Sequence, residues 1–194
     1  MKHLLYALLT AVSILFTSCG PSSNTNTPQE PNVPQPQPQP QPEVTQKVVI
    51  GYLALDDWEF ESLFPTIEWK YLTHINASFA RVKADGTLNI EPVRKRIESV
   101  RETAHKHNVK ILISLAKNSP GEFTTAINDP KARKELIQQI IAFTKEYKLD
   151  GFDIDYEEYD NWDKNFPSLL VFARGLYLAK EKNMLMTCAV NSRW

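Results

Sequence analysis

The chain is poor in the residues that several function classes depend on. It has two cysteines in 194 residues, Cys19 and Cys188, which is too few for a disulfide framework. Charge of neither sign is in surplus: 22 Lys and Arg stand against 23 Asp and Glu, for a formal net charge of -1. That balance gives no electrostatic footprint for nucleic acid, and no glycine-rich loop is present to cradle a phosphate. His74, His105 and His107 lack metal-ligand spacing with Cys or Glu, so neither a zinc site nor any other cofactor is expected. No short solenoid repeat occurs. The one long apolar run, LLYALLTAVSILF near the N-terminus, is too short to span a bilayer.

What is present divides into three parts. Residues 1–19 combine a basic start at Lys2 and His3 with that apolar run, the pattern of an export signal. The run closes on Phe16, Thr17, Ser18 and Cys19, which resembles a bacterial lipobox, whose cysteine is acylated and becomes the mature N-terminus. The resemblance implies a membrane protein of the bacterial cell envelope held by lipid at Cys19, since two or three acyl chains anchor firmly where one does so marginally. Cys188, in the apolar run LMTCAV, would then have no disulfide partner and is expected to be a small buried hydrophobe.

Residues 20–46 hold most of the 13 prolines and almost no large apolar side chain. Such a segment cannot bury enough surface to offset its ordering entropy, and alternating Pro and Gln favours an extended tether. At about 3.1 Å per residue it could hold a domain up to roughly 80 Å from its anchor.

From Lys47 the chain alternates strand and helix. Val48–Leu55 (VVIGYLAL) reads as a buried first strand, Thr73–Val82 as a second, and Asp85–Gly86 as a turn. A helix opened by Pro92 carries Val93, Ile97, Val100 and Ala104 on one stripe, with Arg94, Lys95, Arg96, Glu98, Arg101 and Glu102 as a solvated face. Val109–Ala116 is the third strand. Asn128 or Asp129 caps a helix with Pro130 in its first turn and Ala132, Leu136, Ile140, Phe143 and Tyr147 on its buried side. The fourth strand is Leu149–Glu158, followed by a helix over about 168–181 and a fifth strand, Met184–Val190. Repeated β/α units predict a parallel sheet covered on both faces.

The fourth strand, LDGFDIDYEE, organises the rest. Its period of two puts Asp153, Asp155 and Glu157 on one face and Phe152, Ile154 and Tyr156 on the other. A bare DxDxE pattern also suits a solvated edge strand or a hard-cation site. On a covered face, however, carboxylates are costly unless they have a task. Same-face neighbours lie only ~6.7 Å apart, so repulsion should keep at least one proton in place, with Glu157 at the strand end as its holder and Asp153 and Asp155 as a coupled pair.

Asp150, Gly151, Asp153, Asp155 and Glu157 reproduce the DGxDxDxE signature without a gap, so the stretch resembles the catalytic strand of glycoside hydrolase family 18, the chitinases and endo-β-N-acetylglucosaminidases. The resemblance implies a (β/α)8 TIM barrel, with catalytic groups at the C-terminal ends of strands. It implies Glu157 as the general acid and base, and Asp155 as the residue orienting the 2-acetamido group whose oxygen attacks the anomeric carbon. Tyr52 and Ser114 match residues that hydrogen-bond the deeper acid, Asp153, and Phe79 matches an aromatic of the sugar subsite. The substrate is expected to be an N-acetylglucosamine-containing glycan, either a chitin oligomer or an N-glycan core, and the protein a monomer. Trp58, Trp162 and Trp194 are candidates either for stacking on sugar rings or for anchoring loops.

The chain departs from the family pattern in three ways. The SxGG at the end of the third strand is Ser114, Leu115, Ala116 and Lys117, and Ala77 replaces a tyrosine on the second strand. Five strands from Lys47 to Trp194 also fall short of a barrel of about 250 residues, so the chain reads as a barrel cut after its fifth strand. That leaves open a glycan-binding protein on the same scaffold and a metal-dependent carboxylate site.

Overall fold

In the computed structural model, residues 47–158 and 161–189 are described, with the backbone alone described at Trp162. The signal, Cys19, the tether and Trp194 lie outside the described residues.

Strands β1 (Ile50–Ala54), β2 (His74–Val82), β4 (Lys110–Lys117), β5 (Gly151–Ile154) and β6 (Leu185–Cys188) pair in parallel in the order β1-β2-β4-β5-β6. Between them run the helices α1 (Phe60–Leu63), α2 (Glu91–Arg94), α3 (Ile97–Lys106), α4 (Glu122–Asn128), α5 (Pro130–Glu146) and α6 (Trp162–Ala179). A short strand, β3 (Leu88–Asn89), pairs antiparallel with the end of β2 after the turn at Gly86, whose φ is +85°.

The period of two decides which side chains meet the helices. Ile111, Ile113 and Leu115 of β4, with Phe152 and Ile154 of β5, pack into one core with Val93, Ile97, Val100 and Ala104 on the first stripe and Leu136, Ile140 and Phe143 on α5. Leu112, Ser114 and Asp153 alternate with these and occupy the opposite face, yet are just as buried. That face is concave. Tyr52 on β1 hydrogen-bonds Asp153 on β5, which in a flat sheet would lie three strand spacings away, about 14 Å and beyond a tyrosine's reach. Curling of this kind is how the wall of a (β/α) barrel begins.

Several expectations are corrected. β1 begins at Ile50 and is half-exposed rather than buried, because among the described residues it has a neighbour only in β2. The Pro92 stripe is broken into α2 and α3, although its four apolar residues stay buried. A helix is added at α4, and Asp129 rather than Asn128 caps α5, accepting from the Ala132 amide at 2.7 Å. α6 runs from Trp162 to Ala179, with Pro167 inside it, and so begins earlier than the expected 168–181. Cys188 is exposed, because nothing described packs beyond β6. Arg96 is no part of a solvated face: its guanidinium donates to the Leu55 and Asp57 carbonyls, pairs with Glu61 and lies 4.3 Å from the Phe60 ring centre. It pins the loop after β1.

Candidate active site

The acidic strand is shorter than its sequence pattern. Its ladder ends at Ile154, and Asp155 keeps one tie to β4 through its amide, which donates to the Leu115 carbonyl at 3.0 Å. Residues 155–158 continue beyond the sheet at the C-terminal ends of the strands. Glu157 is therefore exposed rather than enclosed in the concave face.

Asp153 lies deepest, only 1% exposed. Its Oδ2 accepts from Tyr52 Oη at 2.8 Å and Ser114 Oγ at 2.7 Å, and its Oδ1 accepts from Thr187 Oγ1 at 2.6 Å. Three hydroxyl donors from β1, β4 and β6 converge on one carboxylate, which meets the cost of burying it. Burial first, and then the bond to Asp153, push the Tyr52 hydroxyl up to about 12, so it remains a donor across the working pH range. Thr187 was not singled out in the sequence; its register opposite Asp153 is what places it.

Asp155 sits one step outward. Burial, and then the charges of Glu157 and Asp153, raise its carboxyl to about 6, while Lys117 and Arg81 act in the opposite direction. The surroundings thus raise the proton affinity of Asp155. Because the folded value exceeds the ordinary value near 4, the charged form is disfavoured in the fold, and stability is lost as pH rises from about 4 to about 6. Asp155→Asn is expected to raise the melting temperature at pH 7 by the equivalent of about 1 kcal/mol, a figure kept small because solvent screens the half-exposed group. The gain should vanish at pH 4, where aspartate is already protonated in the fold. Thermal melts at the two pH values check this, and a lower melting temperature for the variant at pH 7 would refute it.

Phe79 lies in β2 where the pairing with β4 slips: Ala77 faces Ile113 and Ala80 faces Leu115, so β2 carries one extra residue. Such a bulge re-aims the side chains within it. The Phe79 ring is 6.4 Å from that of Tyr52, and the Arg81 guanidinium lies 5.1 Å from its centre. Trp58, in the loop after β1, is 85% exposed, which leaves its ring free to stack and rules out a buried anchor.

At the other end of β5, the first two signature residues have structural tasks. Asp150 Oδ2 accepts from the Ile111 amide and meets His105 Nε2, each at 2.8 Å. Gly151 lets β6 approach, since a Cβ there would lie 2.1 Å from the Leu185 carbonyl oxygen. Among the described residues, no group of three His, Cys, Asp or Glu side chains is placed to hold a metal ion.

The family model for the Glycosyl hydrolases family 18 matches residues 48–193. The crystal structure of a chitinase from Bacteroides thetaiotaomicron is 99% identical, with a TM-score of 0.75, over 76% of this chain and 48% of that one. A GH18 chitinase from the chitin utilization locus of Flavobacterium johnsoniae is 27% identical, with a TM-score of 0.58, over 75% of this chain and 47% of that one. Chitinase B of Serratia marcescens is 26% identical over 144 residues, 58% of this chain and 28% of its own. The chain thus spans about half the length of these solved relatives and less than a third of the curated one. With the signature strand set in a curled parallel sheet and the family match running nearly the whole length of the globular part, this chain belongs to glycosyl hydrolase family 18.

Proposed function

We propose that the protein is a chitinase-like glycoside hydrolase that cleaves β-1,4 linkages next to N-acetylglucosamine with retention of configuration, using the substrate's own acetamido group. The observation that carries this reading is the graded row of carboxyls: Asp153 locked by three hydroxyls, Asp155 with raised proton affinity, and Glu157 exposed at the outer end. Glu157 gives its proton to the glycosidic oxygen as the bond to the anomeric carbon breaks. The acetamido carbonyl oxygen closes onto that carbon, and the ring so formed carries positive charge, which the Asp155 carboxylate stabilises and orients. Glu157, now a base, takes a proton from water. The water oxygen adds to the anomeric carbon, the ring opens, and the acid is regenerated. Tyr52 and Ser114 hold Asp153, and Phe79 offers an apolar face to the sugar.

The test is to incubate the protein separately with chitohexaose and with a high-mannose glycoprotein, and to read products by mass spectrometry and their anomers by proton NMR. Shorter chito-oligomers released as the β-anomer are the expected result. Release of glycan from the glycoprotein alone would move the assignment to an endo-β-N-acetylglucosaminidase, and initial α-anomer would overturn the substrate-assisted mechanism. Binding of chitohexaose without cleavage would make the protein a glycan-binding lipoprotein.

The N-terminal sequence supports a protein anchored to a bacterial membrane through acylated Cys19, with residues 20–46 as the spacer. Labelling of cells with a palmitate analogue is expected to mark the protein and to be lost in Cys19→Ala. Label retained in that variant would refute the anchor.

A further inference from the structure

We propose that Lys117 and Glu158 are positioning residues that clamp the segment carrying Glu157 against the connection between β4 and α4. The inference rests on Glu157 being the acid, and it concerns how that acid is held. The β5 ladder stops at Ile154, so Glu157 lies beyond its last described rung. Side chains reach its segment from both flanks. Lys117, the last residue of β4, donates from Nζ to the backbone carbonyl of Glu157 itself at 2.9 Å. On the other flank, Glu158 accepts from the Gly121 amide at 2.5 Å through Oε1, and from the Thr124 amide and hydroxyl at 2.6 Å through Oε2. Thr124 Oγ1 also meets Tyr156 Oη at 2.6 Å.

Every one of these partners comes from residues 117–124. Hydrogen bonds in which one partner is ionised are the stronger kind, and here both flanking contacts are of that kind. The position of Lys117 is also where the family's SxGG pattern has a glycine, which could make no such contact. The lysine therefore places a tie to the acid's own backbone where the family pattern has no side chain.

Lys117 has a second effect, because its ammonium lies beside the carboxyl row. The groups facing Asp155 are Asp153 on its own strand, Glu157 beyond it, Lys117 from β4, Arg81 from β2, Tyr52 from β1 and Cys188 from β6. Removing one of the two cations should move the Asp155 titration to higher pH.

The experiment compares Lys117→Met, Lys117→Arg and Glu158→Gln with the parent chain by three readouts: amide hydrogen exchange, carbon-13 NMR titration of Asp155, and turnover of chitohexaose. In Lys117→Met, exchange of the amides of residues 156–158 is expected to quicken about tenfold and kcat to fall about tenfold with KM little changed, in keeping with loss of one charge-assisted bond. Asp155 should titrate at higher pH in this variant. Lys117→Arg, which keeps the charge and a donor, should restore the titration and most of the protection, and it carries the test if the methionine variant does not fold. Glu158→Gln should quicken exchange without moving Asp155 upward. Unchanged exchange and an unchanged Asp155 titration in Lys117→Met would overturn the clamp. Should Glu157→Gln retain full turnover, the acid assignment fails instead, and exchange and titration still judge the clamp.

Discussion

Glu157→Gln is expected to lower chitohexaose turnover by about 10³-fold, near 4 kcal/mol of barrier, while leaving the fold intact. In the proposed mechanism one residue does both proton transfers, giving a proton in the first step and taking one in the second, and the amide can do neither. General acid–base contributions of this size are ordinary for a group aligned with the reacting oxygen. Because Glu157 is exposed beyond the last rung of β5, the substitution removes a carboxyl without leaving a cavity, and the melting temperature should hardly move. KM should also change little, since glutamine keeps the shape. A loss below tenfold would show that another group protonates the leaving oxygen.

Gly151→Ala is expected to be the most damaging change to the fold, at about 3 kcal/mol or more. The added Cβ would lie 2.1 Å from the Leu185 carbonyl oxygen, 2.7 Å from its carbon and 2.8 Å from its nitrogen. All three are backbone atoms, so no rotamer relieves the clash, and β6 must move away from β5. That would strain the pairing of Leu185 through Cys188, including the bond from the Leu185 amide to the Asp150 carbonyl, and would withdraw Thr187 from Asp153. Against a total stability of roughly 5–15 kcal/mol, this is a large fraction. Gly121→Ala is the control: its φ is +82°, but a Cβ there meets nothing within 4 Å, so only backbone strain of about 1–2 kcal/mol is at stake. Denaturant midpoints of the two variants separate sterics from conformation. If Gly151→Ala is no less stable than Gly121→Ala, the steric account is wrong.

Much of the fold was legible because its signals are local. The alternation across Phe152, Asp153 and Ile154 places one carboxyl opposite two core residues whatever the sheet does next, and the four-residue stripe from Val93 to Ala104 stays buried even though its helix is broken in two. Errors arose where a distant partner decides. α4 is only seven residues long, too short for a convincing period, and its place is set by Phe123, Ala126 and Ile127 entering the core. Arg96 looked like one more surface charge, because nothing near it in sequence announces the carbonyls of Leu55 and Asp57 that it holds. Nothing near Thr187 in sequence announces Asp153, and only the register between the two strands gives it that partner 34 residues away.

The sequence by itself determined the family, the order of β/α units and the row of carboxyls, because a gapless motif and side-chain alternation depend only on covalent spacing. Tertiary structure decided that the row is graded, with Asp153 sealed, Asp155 holding its proton more tightly and Glu157 outside. The reason is that burial, charge and hydrogen bonding at each carboxyl are set by neighbouring strands and by Lys117, Arg81 and Thr187, which only the curled sheet brings within reach.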